Sequence, residues 1–180
     1  MEGTALFIGR FQPFHLGHLA TVRFALGKAK VLVIVVGSAQ KSHEPRNPFT
    51  SGERIRMIKE TLNAEKIDAN RIMIVPVPDV GDHSRWTHKV DELVPEYDLV
   101  IANDPFTLML FRERGIRVLQ APLYRRSEMA ATEIRKMMRE DKRGWEKMVS
   151  VPVHKILKEI DGVNRVKAIA EKDVNEDHSA

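Results

Sequence analysis

The sequence predicts an α/β protein with an open, mostly parallel sheet of five to six strands, helices on both faces and further helices at the C-terminal end. Short apolar runs alternate along the chain with helical patterns of apolar residues. One of these runs, VLVIVVG, is continuous and rich in β-branched residues, which is typical of a parallel strand covered on both faces. Strands that alternate with helices form right-handed βαβ units, as in Rossmann-like sheets.

Apolar runs predict five of the strands. They cover residues 4–9, 31–37, 71–77, 98–103 and 116–121. The helices between them are recognised by their ends. Gly27 follows the first helix, and Thr50 with Glu53 forms a capping box that opens the second. Pro105 and Gly115 lie at the two ends of the fourth.

Two further parts of the chain are predicted to be helical. Trp86 and Val90, four residues apart, indicate a short third helix. Helices are also expected from Thr132 onward and from Pro152, followed by a polar, frayed tail at residues 171–180. Since the chain has neither an internal repeat nor a linker, residues 1–170 are predicted to form a single domain.

Composition excludes several classes of protein. The chain has 180 residues, of which 43% are hydrophobic and 30% are charged, as in globular domains. It lacks both an apolar run near the roughly 20 residues that cross a bilayer and the basic start of a secretory signal, so we expect a cytoplasmic location. The absence of cysteine excludes disulfides, thiolate zinc ligands and a thiol nucleophile. A net charge of +4 is too small to predict nucleic-acid binding.

The stretch GRFQPFHLGH begins where the first strand ends, at the sheet edge where such folds bind ligands. His15 and His18 share one face if both belong to the first helical turn, and Gly17 lets a ligand approach the backbone. The free N–H groups of a helix N-terminus favour phosphate. A zinc site is not predicted, because no third ligand lies at a suitable spacing.

This stretch resembles the H-x-G-H nucleotidyltransferases, enzymes that transfer a nucleoside monophosphate, release pyrophosphate and contact the triphosphate through the two histidines. Three more segments, GSAQKSH (37–43), NPFTSGER (47–54) and TEIR (132–135), lie in the order and spacing of the archaeal-type nicotinamide-nucleotide adenylyltransferases. Trp86 falls where that family has a tryptophan. The resemblance implies ATP and nicotinamide mononucleotide as substrates, NAD as product, Mg²⁺ with the ATP, and a homo-oligomer.

Two groups of site residues follow from the resemblance, read with the chemistry of the side chains. The expected catalytic residues are His15, His18, Arg10, Arg46, Thr132 and Arg135. The expected nucleotide-binding residues are Gly9, Phe11, Gln12, Gly17, Ser38, Gln40, Trp86 and Asn103. Guanidinium groups fit phosphate bidentately, and an indole ring can stack on a pyridinium ring. Thr132 could cap its helix or donate its hydroxyl to a phosphate.

The sequence departs from the family pattern at two places. Ala130-Ala131 stand where related sequences have serine-glycine or serine-serine, so one hydroxyl contact to phosphate is absent or comes from elsewhere, with Ser127 as a candidate. Asn103-Asp104-Pro105 replaces glycine-asparagine-proline, which adds a carboxylate where adenine or ribose would lie.

Three other functions stay open on sequence grounds. The chain could be another transferase of the superfamily, with FMN, phosphopantetheine or a polyol phosphate as acceptor. It could be a nucleotide sensor without activity, or a basic nucleic-acid-binding module. The sequence also does not distinguish nicotinamide mononucleotide from nicotinate mononucleotide as the acceptor, since the two differ only by an amide in place of a carboxylate.

Overall fold

A computed structural model of the protein describes residues 2–122 and 130–177. Its strands form one sheet in the order β3-β2-β1-β4-β5, and every pairing is parallel. The strands are β1 (Glu2–Gly9), β2 (Ala29–Val36), β3 (Ile72–Pro76), β4 (Leu99–Ala102) and β5 (Val118–Gln120). The predicted α/β class is therefore confirmed, with a strand number at the lower end of the expected range.

Helices connect the strands and complete the C-terminal part. They are α1 (Leu16–Leu26), α2 (Ser51–Ala64), α3 (His83–Leu93), α4 (Pro105–Glu113), α5 (Ala131–Arg139), α6 (Val151–Glu159) and α7 (Gly162–Asp177). The backbone of the last helix extends as far as Asp177, into the segment 171–180 for which the sequence predicts a polar, frayed tail. Short 3₁₀ turns lie at Ala69–Arg71 and Arg143–Lys147. None of the helices in the described ranges is both long and apolar enough to cross a membrane.

Both faces of the sheet are buried, as the run VLVIVVG predicts. Alternate residues of β1 point to opposite faces: Phe7 packs in one apolar cluster and Leu6 in the other. The larger cluster lies beneath α1, α2 and α5 to α7, and the smaller one beneath α3 and α4, where it includes Val90 and Phe111. With helices on both faces, the strand ends are the part of the sheet left open to a ligand.

Helix starts place several loops at that open edge. Thr50 and Glu53 form the predicted capping box of α2: the Thr50 hydroxyl accepts the Glu53 N–H, and the Glu53 carboxylate accepts the Thr50 N–H. The same carboxylate pairs with Arg165 of α7 at 2.7 Å. Asp104 caps α4, which begins with Pro105. These contacts tie the loops after the strands to the helices that cover the sheet.

Candidate active site

A cleft of about 780 Å³ opens at the carboxyl ends of the strands. Its walls come from the loops after β1, β2 and β3 and from the start of α4. The predicted site residues among those that line it are Gly9, Arg10, Ser38, Gln40, Arg46 and Trp86. A second cleft of about 560 Å³ lies near the amino ends of β4 and β5, and none of the predicted residues lines it. The first cleft is therefore the candidate site.

His15 and His18 meet at the start of α1. His15 is the N-cap residue, and its ring stacks on that of His18 with the centroids 3.6 Å apart. The Nδ1 atom of His15 accepts the backbone N–H of His18 at 3.3 Å, and the Nδ1 atom of His18 accepts the backbone N–H of His15 at 3.2 Å. The two imidazoles thus form a reciprocal cap of the kind usually made by a serine and a glutamate.

Burial determines that both rings are neutral, and the cap determines which ring nitrogen carries the proton. Burial lowers the pKa of His15 from 6.5 to about 4, and burial together with the neighbouring His15 brings the pKa of His18 well below 6.5. Both rings are neutral at pH 7. Because each Nδ1 accepts a hydrogen bond, the proton of each neutral ring lies on Nε2. Neither Nε2 has a partner among the described residues, so the pair offers two N–H donors to a ligand.

Three arginines at this edge, Arg10, Arg46 and Arg135, lie near one another and have no counterion among the described residues. Arg135 of α5 is buried, and its guanidinium donates to the carbonyl of Gln12 at 2.8 Å. Burial lowers its pKa to about 10, and the nearby charges of Arg10, Arg139 and Arg46 add to that effect. Arg10 and Arg46 are exposed and make no ion pair with the described residues. Like charges held together in this way favour the binding of a polyanion.

Phe11 and Gln12 are placed differently from the prediction. The Phe11 ring is 1% exposed and packs against the rings of Phe7 and His18. The Gln12 side chain is also buried. Its Nε2 donates to the Phe49 carbonyl and its Oε1 accepts the Phe49 N–H, both at 3.0 Å. Neither residue lines the cleft. Their side chains are therefore internal, and no side-chain contact with a nucleotide is assigned to them.

Ser38 and Gln40 lie in the cleft wall, as predicted, and both bond Asp79. The Ser38 hydroxyl donates to the Asp79 carboxylate at 3.1 Å. The Gln40 side chain accepts the Asp79 N–H at 2.9 Å and donates to its carbonyl at 3.4 Å. These bonds join the loop after β2 to the loop after β3. Both residues thus shape the wall, and Ser38 keeps a hydroxyl at its surface.

Trp86 and Asn103 each carry a buried polar atom without a partner. The Trp86 indole N–H and the Asn103 side-chain oxygen are both inaccessible and unbonded in the described part of the molecule. The Trp86 ring lines the cleft and passes 3.7 Å from the position of a Cβ on Gly37. The Asn103 amide faces α1, where it lies 3.5 Å from the Thr21 hydroxyl. Buried polar groups normally have partners, so both atoms mark places where a ligand could bind.

Arg54 is a residue of this edge that the sequence analysis left out. It is 0% exposed on α2, and its guanidinium donates to the carbonyl oxygens of Arg10, Gly37 and Ser38 at 2.8 to 3.1 Å. Burial lowers its pKa to about 10. Its place within NPFTSGER was the only signal, because a single arginine in an amphipathic helix is expected at the solvent face.

Comparison with known proteins shows the family of this chain. The model of the cytidylyltransferase-like family matches residues 6–137. The nicotinamide-nucleotide adenylyltransferase of Ignicoccus hospitalis is 43% identical over 169 residues, which cover 94% of this chain and 99% of that one. The protein of the same name from Methanolobus tindarius is 42% identical over 94% of this chain and 95% of its own. The chain belongs to the nicotinamide-nucleotide adenylyltransferase family.

Solved structures support the fold. A bifunctional NMN adenylyltransferase/ADP ribose pyrophosphatase from Francisella tularensis superposes with a TM-score of 0.82 at 21% identity, covering 99% of this chain. The chain spans 56% of that longer protein. The same bifunctional protein complexed with AMP and a manganese ion gives a TM-score of 0.76 at 23% identity, over 99% of this chain and 55% of that one.

The two departures from the family pattern, at Ala130-Ala131 and at Asp104, can be placed in the structure. Ala130 is the N-cap of α5 and leaves the helix start without a side-chain cap, while Thr132 is exposed at the second helical position. Thr132 is therefore not the N-cap residue of α5, and its hydroxyl does not cap the helix. Asp104 lines the cleft, but one of its oxygens accepts both the N–H and the hydroxyl of Thr107. Ser127, the candidate for the missing hydroxyl, lies outside the described residues.

Gly17 occupies the second position of α1, between the two histidines. Its carbonyl accepts the Thr21 hydroxyl at 3.2 Å. Of the predicted catalytic residues, Arg10 and Arg46 line the cleft, and Arg135 lies close enough to both to share their charge. The remaining predicted residues that do not line it include His15, His18, Gly17, Thr132 and Asn103. In the described ranges, no group of three or more His, Asp or Glu residues is arranged to hold a metal ion.

Proposed function

We propose that this protein transfers the adenylyl group of ATP to nicotinamide mononucleotide and releases NAD and pyrophosphate, as a step of NAD biosynthesis. One observation carries the proposal: after β1 the chain presents two neutral imidazoles with Nε2–H donors, and the same edge of the sheet holds Arg10, Arg46 and Arg135 near one another without counterions among the described residues. Family membership gives the acceptor, since the curated relatives named above are nicotinamide-nucleotide adenylyltransferases.

The protonation state of the histidines fits this reaction. An oxygen of the mononucleotide 5′-phosphate attacks the α-phosphorus of ATP, a new P–O bond forms, and the bond to the β-phosphate oxygen breaks as pyrophosphate leaves. The attacking phosphate is already an anion at neutral pH, so no general base is needed. A histidine with a pKa near 4 is a poor base at pH 7, whereas its N–H is a good donor to phosphate oxygens.

Catalysis in this scheme rests on positioning and on neutralising charge. His15 and His18 donate to the triphosphate, and Arg10, Arg46 and Arg135 balance the charge that spreads over the phosphoryl oxygens. The exposed Thr132 hydroxyl at the start of α5 adds a donor on the opposite side. No other acid or base has to act.

The cleft wall around Trp86 is the proposed nicotinamide subsite. Its indole ring offers a face for a positively charged pyridinium ring, and its N–H lacks a protein partner. Mg²⁺ is proposed to enter with ATP as part of that substrate, since it usually keeps several waters and binds phosphate oxygens. Assembly into a homo-oligomer stays a prediction from the family resemblance.

The test is an assay with ATP and either nicotinamide mononucleotide, which would give NAD, or nicotinate mononucleotide, which would give nicotinate adenine dinucleotide, with the dinucleotide and pyrophosphate both measured. We expect NAD and pyrophosphate in equal amounts, and a fall in kcat of about 10²–10³-fold in His18→Ala, because one preorganised donor is lost. His88→Ala is the matched control, since that ring is 68% exposed on α3. Absence of NAD synthesis, or near-normal turnover by the His18 variant, would contradict the proposal.

A further inference from the structure

The Arg54 guanidinium lies directly behind the cleft and holds the ends of two strands together. One nitrogen, Nη1, donates to the carbonyl of Arg10 after β1 and to the carbonyl of Gly37 after β2, both at 2.8 Å. The second terminal nitrogen donates to the Ser38 carbonyl at 3.1 Å, and Nε donates to the Thr50 carbonyl at 3.2 Å. All four acceptors are backbone oxygens, so the side chain is fixed by the loops it connects.

These bonds dictate where the neighbouring amide groups point. In a trans peptide the N–H lies opposite the C=O. The N–H of Phe11 follows the Arg10 carbonyl and the N–H of Ser38 follows the Gly37 carbonyl, so both are directed away from the guanidinium. Neither N–H has a hydrogen-bond partner among the described residues. Phe11 and Ser38 both have positive φ, 54° and 49°, which marks a sharp turn at each of these residues.

The charge of Arg54 also favours an anion at the Phe11 and Ser38 amides. Its guanidinium hydrogen-bonds to carbonyl oxygens alone, and the carboxylates of Asp79 and Glu53 act on it without a hydrogen bond. Although burial lowers its pKa to about 10, the group stays protonated at neutral pH. A positive charge in a poorly solvated position strengthens the attraction of an anion to the amides in front of it.

We propose that Arg54 is a positioning residue, which holds the Arg10 and Gly37 carbonyls so that the amide N–H groups of Phe11 and Ser38 donate to phosphoryl oxygens in the cleft. Arg10, Gly37 and Ser38 line that cleft. The Phe11 N–H belongs to the peptide group that follows Arg10, so it lies at the edge of the cleft although the Phe11 side chain is internal. Two fixed amide donors on one phosphoryl group resemble an oxyanion hole, which stabilises charge without reorganisation. The identity of the phosphoryl group as the one transferred rests on the proposed function.

Arg71 provides a matched control at the opposite end of the sheet. Its guanidinium also bonds backbone carbonyls, those of Leu26, Ala29 and Lys30, each at 2.8 Å. It lies at the amino end of β3 and does not line the cleft. Replacing Arg71 therefore removes a similar clamp without changing the amides at the site.

The kinetic test compares Arg54→Lys, Arg54→Met and Arg71→Met, each assayed well below its own Tm. We expect kcat to fall about 10²-fold in Arg54→Met and about 10-fold in Arg54→Lys, which keeps the charge but not the fork. KM for both substrates should change by less than about threefold, since the interaction is made chiefly in the transition state. If Arg54→Met does not fold, Arg54→Lys decides. The proposal is overturned if the folded Arg54 variants keep kcat within about threefold of the wild type, or if Arg71→Met loses as much kcat.

A second measurement separates this inference from the proposed function. In ¹⁵N-labelled full-length protein titrated with inorganic phosphate, the Phe11 and Ser38 amide protons should move downfield, and the movement should be smaller in Arg54→Lys. This result would hold even if the wild type formed no NAD, in which case only the proposed function fails. Unmoved Phe11 and Ser38 amides, or equal movement in wild type and Arg54→Lys, would refute the role of Arg54.

Discussion

Acid should destabilise this protein through the paired histidines at the start of α1. Each Nδ1 accepts the partner's backbone N–H, at 3.2 and 3.3 Å, so protonation at Nδ1 removes an acceptor and places a charge at a buried position. The pKa of His15 in the folded protein, about 4, lies below its ordinary value of 6.5. The folded state therefore binds fewer protons than the unfolded chain, and stability present above pH 6.5 is lost as the pH falls toward 4.

The size of the effect follows from the two pKa values. The interval between 6.5 and about 4, at about 1.4 kcal/mol per pKa unit, corresponds to about 3 kcal/mol when fully developed. At pH 4.5, where the folded group is still mostly neutral, about 2.5 kcal/mol of this has been lost. His18, whose pKa is also lowered, adds to the loss in the same direction.

The assay is urea unfolding of the wild type and of His15→Asn at pH 7.5 and pH 4.5. Asparagine is a good N-cap acceptor but does not titrate, so it keeps the cap and removes the pH dependence. Between the two pH values the wild type should lose about 2.5 kcal/mol more than His15→Asn. The exposed-histidine control, His88→Asn, should lose as much as the wild type. Equal losses in the wild type and His15→Asn would refute the assignment of a neutral, capping His15.

Two further predictions concern the cleft wall and the start of α5. Trp86→Ala should raise KM for nicotinamide mononucleotide about 10-fold through loss of ring stacking, leaving KM for ATP as the internal control; an equal rise in both would contradict a nicotinamide subsite. Ala130→Ser should raise the free energy of unfolding by about 1 kcal/mol in urea, because the N-cap of α5 has no side-chain acceptor. Ala131→Ser, one residue further on, should give no such gain, and an equal gain there would exclude capping as the cause.

Much of the fold was predictable from local patterns. The apolar runs place β1 to β5 close to their observed bounds, and the capping box at Thr50 and Glu53 is present as predicted. The end of the chain was harder. Residues 171–177 are polar apart from Val174, so hydrophobic periodicity gave no reason to extend a helix there, although the backbone is helical to Asp177. Helical backbone geometry does not by itself require an apolar face.

The site was predictable at the level of its residues and less so at the level of their contacts. Arg10, Ser38 and Trp86 lie in the cleft because they follow strands that end at the same edge. Phe11 was expected there too, but the positive φ at this residue turns its ring into the core. Arg54 was missed since its four acceptors are backbone carbonyls from two loops, which no spacing in the sequence encodes.

The arginines at the sheet edge make the empty site a source of internal repulsion. Arg10, Arg46 and Arg135 act on one another as like charges, and nothing in the described structure neutralises them. A polyanion that enters relieves this repulsion, so the energy that destabilises the unliganded protein is recovered on binding and adds to the affinity. The same coupling means that a bound polyanion raises the free energy of unfolding of the protein.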